Sequence, residues 1–335
     1  LGRATAWQRF AYEIQGGPPP TGLYQKMLSR ASGDAPHRKQ IEKDVHRTFG
    51  SVRGLRVPQQ EALQSLRNVL LAYAEHNPQV GYCQSMNFIA AVLLLVVDEE
   101  SAWWCLAAIV ERLMPGHFSQ CMAMAIVDQG VLSDFLHIED GQLVERLEEM
   151  QVAPSLVTTQ WLLTCFVGSS LPLNALLRVW DAFFKRRHVS FLFTIAAALL
   201  ITNRAALLAA RDTGEAYQVL TSLGHDLHTP EAMEKLLHAA SVLSARPSLH
   251  PDELTSSRRR HAAKLEGERG LHAAQIAHAA VATATATANE TQQQYGGVRR
   301  NSGSNNNVLH AAAAGQDYVR GEWTLVPVPP SSGLR

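Results

Sequence analysis

Apolar residues recur at helical spacing along most of the first 245 positions of this chain. Trp7, Phe10, Ala11 and Ile14 share one face, and Gly16-Gly17-Pro18-Pro19-Pro20 ends that helix abruptly. Leu23, Tyr24, Met27 and Leu28 predict a short second helix, with a loop at 32–36. Ile41, Val45 and Phe49 repeat every fourth residue, and Gly50 and Gly54 are expected to stop the helix they define. Leu63, Leu66, Val69, Leu70 and Tyr73 form a longer stripe that leads to a turn at Asn77-Pro78. Next comes an unbroken apolar run, Phe88 to Val97, whose ten residues are too few to cross a bilayer. It predicts a buried helix. Asp98-Glu99-Glu100-Ser101 opens the following helix, with acids suited to a first turn. Trp103, Trp104, Leu106, Ile109 and Val110 fill it.

Separate helical patterns follow around 122–136 and 141–150, then at Trp161–Phe166, broken by Gly168. Leu171-Pro172 opens a helix carrying Leu176, Val179, Trp180, Phe183 and Phe184, on which Arg178 and Asp181 are spaced to pair. The run Phe191–Ile201 is again too short for a membrane span, and two further patterns lie near 217–223 and 231–243. No alternating strand interrupts them. The expected fold is an all-α, multi-helix globular array.

From about Arg246 the character changes. An Arg258-Arg259-Arg260 triplet, alternating Ala-Thr at 281–289, Gln292-Gln293-Gln294 and Asn305-Asn306-Asn307 follow one another. Such sequence offers too little apolar surface to fold alone, so 246–335 is expected to be a disordered, low-complexity tail. Because the chain opens at Leu1 within a helical pattern, it reads as a piece of a longer protein.

Composition narrows the function by exclusion. The formal net charge is zero, which argues against a dedicated nucleic-acid binder. The zero is a sum of unlike parts: residues 1–60 hold ten Lys/Arg against four Asp/Glu, and residues 98–150 hold two against eleven. The four cysteines, Cys83, Cys105, Cys121 and Cys165, lie in apolar or helical contexts with no paired spacing. They read as buried thiols of a reducing compartment, and neither a disulfide framework nor a zinc site is indicated. With no phosphate-binding glycine loop, nucleophile–base pair or metal cluster in the sequence, a metabolic enzyme with its own pocket has little support.

Two polar groups remain. Gly81-Tyr82-Cys83-Gln84-Ser85-Met86-Asn87 stands at the mouth of the central apolar run, where packing behind it can hold a functional amide in place. Taken alone, Gln84 and Asn87 are more commonly helix caps. Upstream, Asp44 and Arg47 are three apart and can meet on the polar side of their helix. Taken alone, they make a surface ion pair worth well under about 1 kcal/mol.

Read together, Ile41-x-x-Asp44-x-x-Arg47-Thr48 followed by Tyr82-x-Gln84 resembles the TBC domain, the family of GTPase-activating proteins for Rab-type small GTPases. Arg3-x-x-x-Trp7, Thr159-Gln160-Trp161, Leu171-Pro172 and Leu177-Arg178-Val179-Trp180-Asp181 resemble further family motifs. The resemblance covers residues 1–245. Two positions depart from the family pattern: Ser85 stands where a glycine commonly follows the glutamine, and Gly50 where a proline is common.

The resemblance implies an all-α domain that lends an arginine and a glutamine to another protein's GTP hydrolysis. Arg47 would stabilise charge on the transferring phosphoryl, and Gln84 would position the attacking water. Asp44 would orient Arg47, while Tyr82 and Asn87 would shape the glutamine loop. The partner would be a GTP-bound Rab, which itself holds the GTP and magnesium, so no cofactor is expected on this chain. The implied setting is cytoplasmic, peripheral to endomembranes, with any membrane association indirect. The competing reading is a catalytically silent scaffold of the same fold.

Overall fold

The computed structural model describes residues 2–31, 37–51, 60–118, 123–250 and 252–268, and these are helices joined by turns, with no strand among the described residues. The expected all-α architecture is therefore the observed one. The described residues fall within one compact unit. The low-complexity stretch beyond it lies outside the described residues.

The first half comprises α1 (Arg3–Gln15), α2 (Leu23–Arg30), α3 (Arg38–Ser51), α4 (Gln60–His76), α5 (Met86–Leu94) and α6 (Glu99–Ala107), the last running into a π-helical segment at Ala108–Leu113. α4 lies at its centre, packed on α2, α3, α5 and α6. Glu99 ties three of these together, accepting hydrogen bonds from Tyr24 on α2 at 2.6 Å and from Ser65 and Asn68 on α4 at 2.9 and 3.1 Å. Asp98 caps α6 by accepting from the Ser101 N–H at 3.0 Å, as the acidic opening predicts.

The second half comprises α7 (Ala123–Glu149), α8 (Ser155–Leu163), α9 (Leu173–Arg186), α10 (Ser190–Thr202), α11 (Arg204–Ala209), α12 (Thr213–Ser222) and α13 (Pro230–Ser244). α10 is its axis: Phe191 through Leu200 are all buried, between α7, α8, α9 and α13. A helix apolar on every face has to be enclosed this way. α1 joins the halves. Trp7 is fully buried, 5.6 Å from the Trp180 ring and 5.3 Å from that of Phe184 on α9.

Several expectations drawn from spacing need correction. Arg178 and Asp181 do not pair. Asp181 instead accepts a bidentate bond from Arg3 (2.9 and 3.0 Å) and one from the Trp7 indole N–H (2.8 Å), while Arg178 reaches Glu234 on α13. α3 continues through Gly50 to Ser51. The central apolar helix ends at Leu94, three residues before its apolar run does. α8 ends at Leu163, well before Gly168. The patterns at 122–136 and 141–150 belong to one bent helix, α7, whose break is Asp140 at φ −154°, ψ 71°.

The largest correction concerns the boundary at residue 245. Residues 252–268 form a further helix, α14, with Leu254 and Ser257 buried. Arg258 makes a bidentate ion pair with Asp128 of α7, both distances 2.8 Å, and stacks over Phe193 of α10 at 5.7 Å. The folded unit therefore takes in part of the polar stretch.

Candidate functional site

α3 is amphipathic, and its inward face (Ile41, Val45) is fully buried against α4 and α5. Asp44 shares that side and is also fully buried. A carboxylate taken out of water must be met by donors. Three surround it: the Gln40 amide at 3.1 Å, the Tyr82 hydroxyl at 2.7 Å and the guanidinium of Arg47, whose Nε lies 2.8 Å away. Gln40 and Arg47 come from α3 itself, four residues before and three after. Tyr82 comes from the loop that leads to α5.

Arg47 keeps more than half of its side chain in solvent, and Gln84 is exposed. The two belong to segments locked together at two points. One is the Tyr82–Asp44 bond, which places a residue two before Gln84 against the carboxylate that holds Arg47. The other is Asn87, whose side chain donates to the Thr48 hydroxyl at 2.8 Å and accepts the Ser85 N–H at 3.1 Å. Thr48 in turn donates to the Asp44 carbonyl at 2.5 Å. Asp44, Tyr82 and Asn87 are thus brought into one buried network beneath two exposed side chains. Lys39, Lys43 and His46, at i, i+4 and i+7 on α3, are exposed as well, so the surface around Arg47 is basic.

Burial, and then the Asp44 carboxylate, push the Tyr82 hydroxyl well above the ordinary phenol range. Tyr82 therefore stays a donor at any physiological pH. Burial likewise raises the Cys83 thiol, with Asp44 adding to it, so Cys83 is a poor nucleophile. Tyr82→Phe deletes one of three donors to a buried charge. It is expected to cost about 1.5–3 kcal/mol, read from urea unfolding, and no loss would mean that Gln40 and Arg47 satisfy Asp44 alone.

The glutamine loop is shaped by unusual backbone. Gly81 has φ 61° and packs so closely on His37 that an added Cβ would collide with the imidazole ring. Ser85 has φ 98°, a conformation that disfavours a residue with a Cβ. Its N–H bond to Asn87 holds it there. Ser85→Gly is expected to stabilise the domain by about 1 kcal/mol, measured as a higher urea midpoint at unchanged slope.

Sequence reasoning missed Gln40 and the bridging role of Thr48. Gln40 stands four residues before Asp44, a spacing that could have drawn attention to it. The bond between Thr48 and Asn87 spans 39 residues and left no local trace.

This helical array is that of a known class of domain. The family model described as the Rab-GTPase-TBC domain matches residues 3–208, and the chain belongs to that family. It is similar to TBC1 domain family member 2A of Rattus norvegicus, 41% identical over 203 residues, which are 60% of this chain and 22% of that protein. TBC1 domain family member 2B of Xenopus tropicalis is 39% identical over 163 residues, 48% of this chain and 17% of that protein. The chain thus spans about a fifth of these curated relatives. Among solved structures, the Chlamydomonas flagellar RabGAP TBC domain superposes with a TM-score of 0.59 at 27% identity, covering 71% of this chain and 78% of that one. The Ypt/Rab-GAP domain of Gyp1p shares the fold, with a TM-score of 0.55 at 19% identity over 70% of this chain and 80% of that one. No helix among the described residues is long and apolar enough to cross a membrane.

Proposed function

We propose that this domain accelerates GTP hydrolysis on a GTP-bound Rab-type GTPase by supplying Arg47 and Gln84 together. The observation that carries this reading is the pair of links, Tyr82–Asp44 and Asn87–Thr48, that join the arginine helix to the glutamine loop while both tips stay exposed. Hydrolysis on a small GTPase is slow because charge on the transferring phosphoryl is left unneutralised and the water is loosely held. The Arg47 guanidinium stays charged and can contact two phosphoryl oxygens at once. The Gln84 carboxamide offers one acceptor and two donors, which suits it to hold a water and a backbone group together.

Neither residue needs to move a proton. Their work is positioning and electrostatics, aided by exclusion of water when the two proteins meet. GTP and magnesium belong to the partner, and this chain contributes side chains only. The basic stripe Lys39, Lys43 and His46 favours an acidic docking surface on the GTPase. Membrane association is indirect, through the partner or through regions outside this chain.

The test is single-turnover phosphate release from a panel of GTP-loaded Rab proteins mixed with the domain. At least one Rab is expected to be accelerated by about 10³-fold or more at saturating domain. Binding without acceleration across the panel would leave the scaffold reading in its place.

A further inference from the structure

The glutamine loop is also held from its upstream side, by a residue that the site above does not use. α6 runs into a π-helical segment at Ala108–Leu113, closed by the Met114 N–H donating to the Ile109 carbonyl, five residues back, at 2.8 Å. A π turn inserts one residue into a helix, and such insertions recur at functional sites. Glu111 lies in this segment. Its Oε1 accepts the Asn77 side-chain amide at 2.9 Å and the Tyr73 hydroxyl at 3.4 Å, and its Oε2 accepts weakly from Gln15 at 3.5 Å. His76 Nε2 stands 3.8 Å from the same carboxylate.

Asn77 makes the turn that starts the loop. Its carbonyl accepts the Gly81 N–H at 2.8 Å and the Val80 N–H at 3.2 Å, and its side-chain oxygen faces the Val80 N–H at 3.3 Å. The Asn77 backbone N–H ends α4 on the Tyr73 carbonyl at 3.0 Å, its oxygens are committed to the turn, and its side-chain amide fixes the turn to the π segment through Glu111. From there the chain runs through Gly81, pressed on His37, to Tyr82 on Asp44 and then to Gln84. Downstream, Asn87 closes the other end on Thr48. The seven residues from 78 to 84 are therefore gripped at both ends.

We infer that Glu111 is a positioning residue for Gln84, acting through Asn77: its carboxylate on the π turn holds the glutamine loop in the conformation that projects the side chain. This rests on the reading of Gln84 as the group that orders the partner's water. The Tyr73 hydroxyl, which burial and Glu111 push above its ordinary range, remains a donor and meets the same carboxylate oxygen at 3.4 Å. Glu111 touches no reacting atom.

Two readouts separate positioning from simple support. In Glu111→Ala, the Val80 and Gly81 amides of the free domain are expected to exchange hydrogen about tenfold faster while α5 stays protected. The single-turnover rate at saturating domain is expected to fall about tenfold, with the affinity for a Rab loaded with a non-hydrolysable GTP analogue held within about twofold of wild type. Glu111→Gln keeps an acceptor for Asn77 and is expected to recover most of both. Should Glu111→Ala fold poorly, Asn77→Ala removes the same donor, keeps the backbone carbonyl that accepts the Val80 and Gly81 N–H groups, and is expected to reproduce the faster exchange. Unchanged exchange at Val80 and Gly81, or a lower melting point with an unchanged rate per folded molecule, would overturn the inference. If wild-type domain accelerates no Rab, the functional reading fails by itself, and the exchange experiment still decides whether Glu111 holds the loop.

Discussion

Arg47→Ala is expected to lower the Rab GTP hydrolysis stimulated by this domain by about 10³-fold or more, while binding to the GTP-loaded partner changes little. An arginine supplied to a phosphoryl-transfer site is typically worth about 10³–10⁵ in rate, or roughly 4–7 kcal/mol of barrier. The side chain is well placed to act in this way, since its Nε is committed to Asp44 and more than half of it lies in solvent. Nη2 bonds the same carboxylate, so Asp44 fixes the direction of the side chain at its base while its outer part is exposed. Lysine carries the charge without the fork, so Arg47→Lys is expected to recover little. The alanine variant should fold, because Gln40 and Tyr82 still meet the Asp44 carboxylate. Gln84→Ala, which leaves every link of the network intact, is expected to slow hydrolysis severely as well. Single-turnover phosphate release at saturating domain measures both, and a full rate in Arg47→Ala would remove the arginine from the mechanism.

The second large effect concerns stability. Asp128 is fully buried, and its two oxygens meet Arg258 at 2.8 Å each, with His117 Nε2 2.5 Å from one of them. Burial by itself would raise the Asp128 carboxyl, but the charges and hydrogen bonds of His117 and Arg258 outweigh it and leave the group below its ordinary 3.8. Arg258→Met keeps the length and packing of the side chain over Phe193 but leaves Asp128 with one partner. The expected loss is about 3 kcal/mol, at the lower end for a broken buried pair because His117 remains. Its pH dependence has a definite sign. A carboxyl with a depressed folded pKa contributes in full above its unfolded value of 3.8, and the contribution is lost as pH falls through the lower folded value. Urea unfolding of wild type and Arg258→Met should therefore differ fully at pH 7 and converge only in strong acid. A difference that vanished by pH 6 would exclude Asp128 as its source.

What sequence could and could not reveal follows from distance along the chain. The Asp44–Arg47 pair was legible because helical geometry alone brings residues three apart together. The same rule misassigned Arg178 and Asp181. Both had partners elsewhere, Glu234 and the Arg3–Trp7 pair, and no local spacing announces a partner more than fifty residues off. Ser85 was visible as a departure from the family's glycine, but its positive φ was not, since only the fold shows that the loop needs that conformation. α14 stayed hidden for a compositional reason. It buries few apolar side chains and docks through Arg258 on Asp128 and His261 on Asp134, polar contacts that resemble solvated sequence until the acceptor is known. The helices around the central runs were plain because apolar periodicity is local. The network under Arg47 and Gln84 was not, because its cross-links join α3 to Tyr82 in the loop and Asn87 in the first turn of α5, almost forty residues later.

Asp181 receives both Arg3 and the Trp7 indole, contacts that span 178 and 174 positions. During synthesis the opening helix leaves the ribosome long before that carboxylate does. Until then the Trp7 ring also lacks Trp180 and Phe184, the aromatic neighbours that will enclose it. Its outer side is a sticky surface on a nascent chain, a natural target for a chaperone. A ribosome stalled short of residue 181 would hold an N-terminal half in which α1 can pack on α6 but Trp7 still lacks its α9 carboxylate and aromatic neighbours.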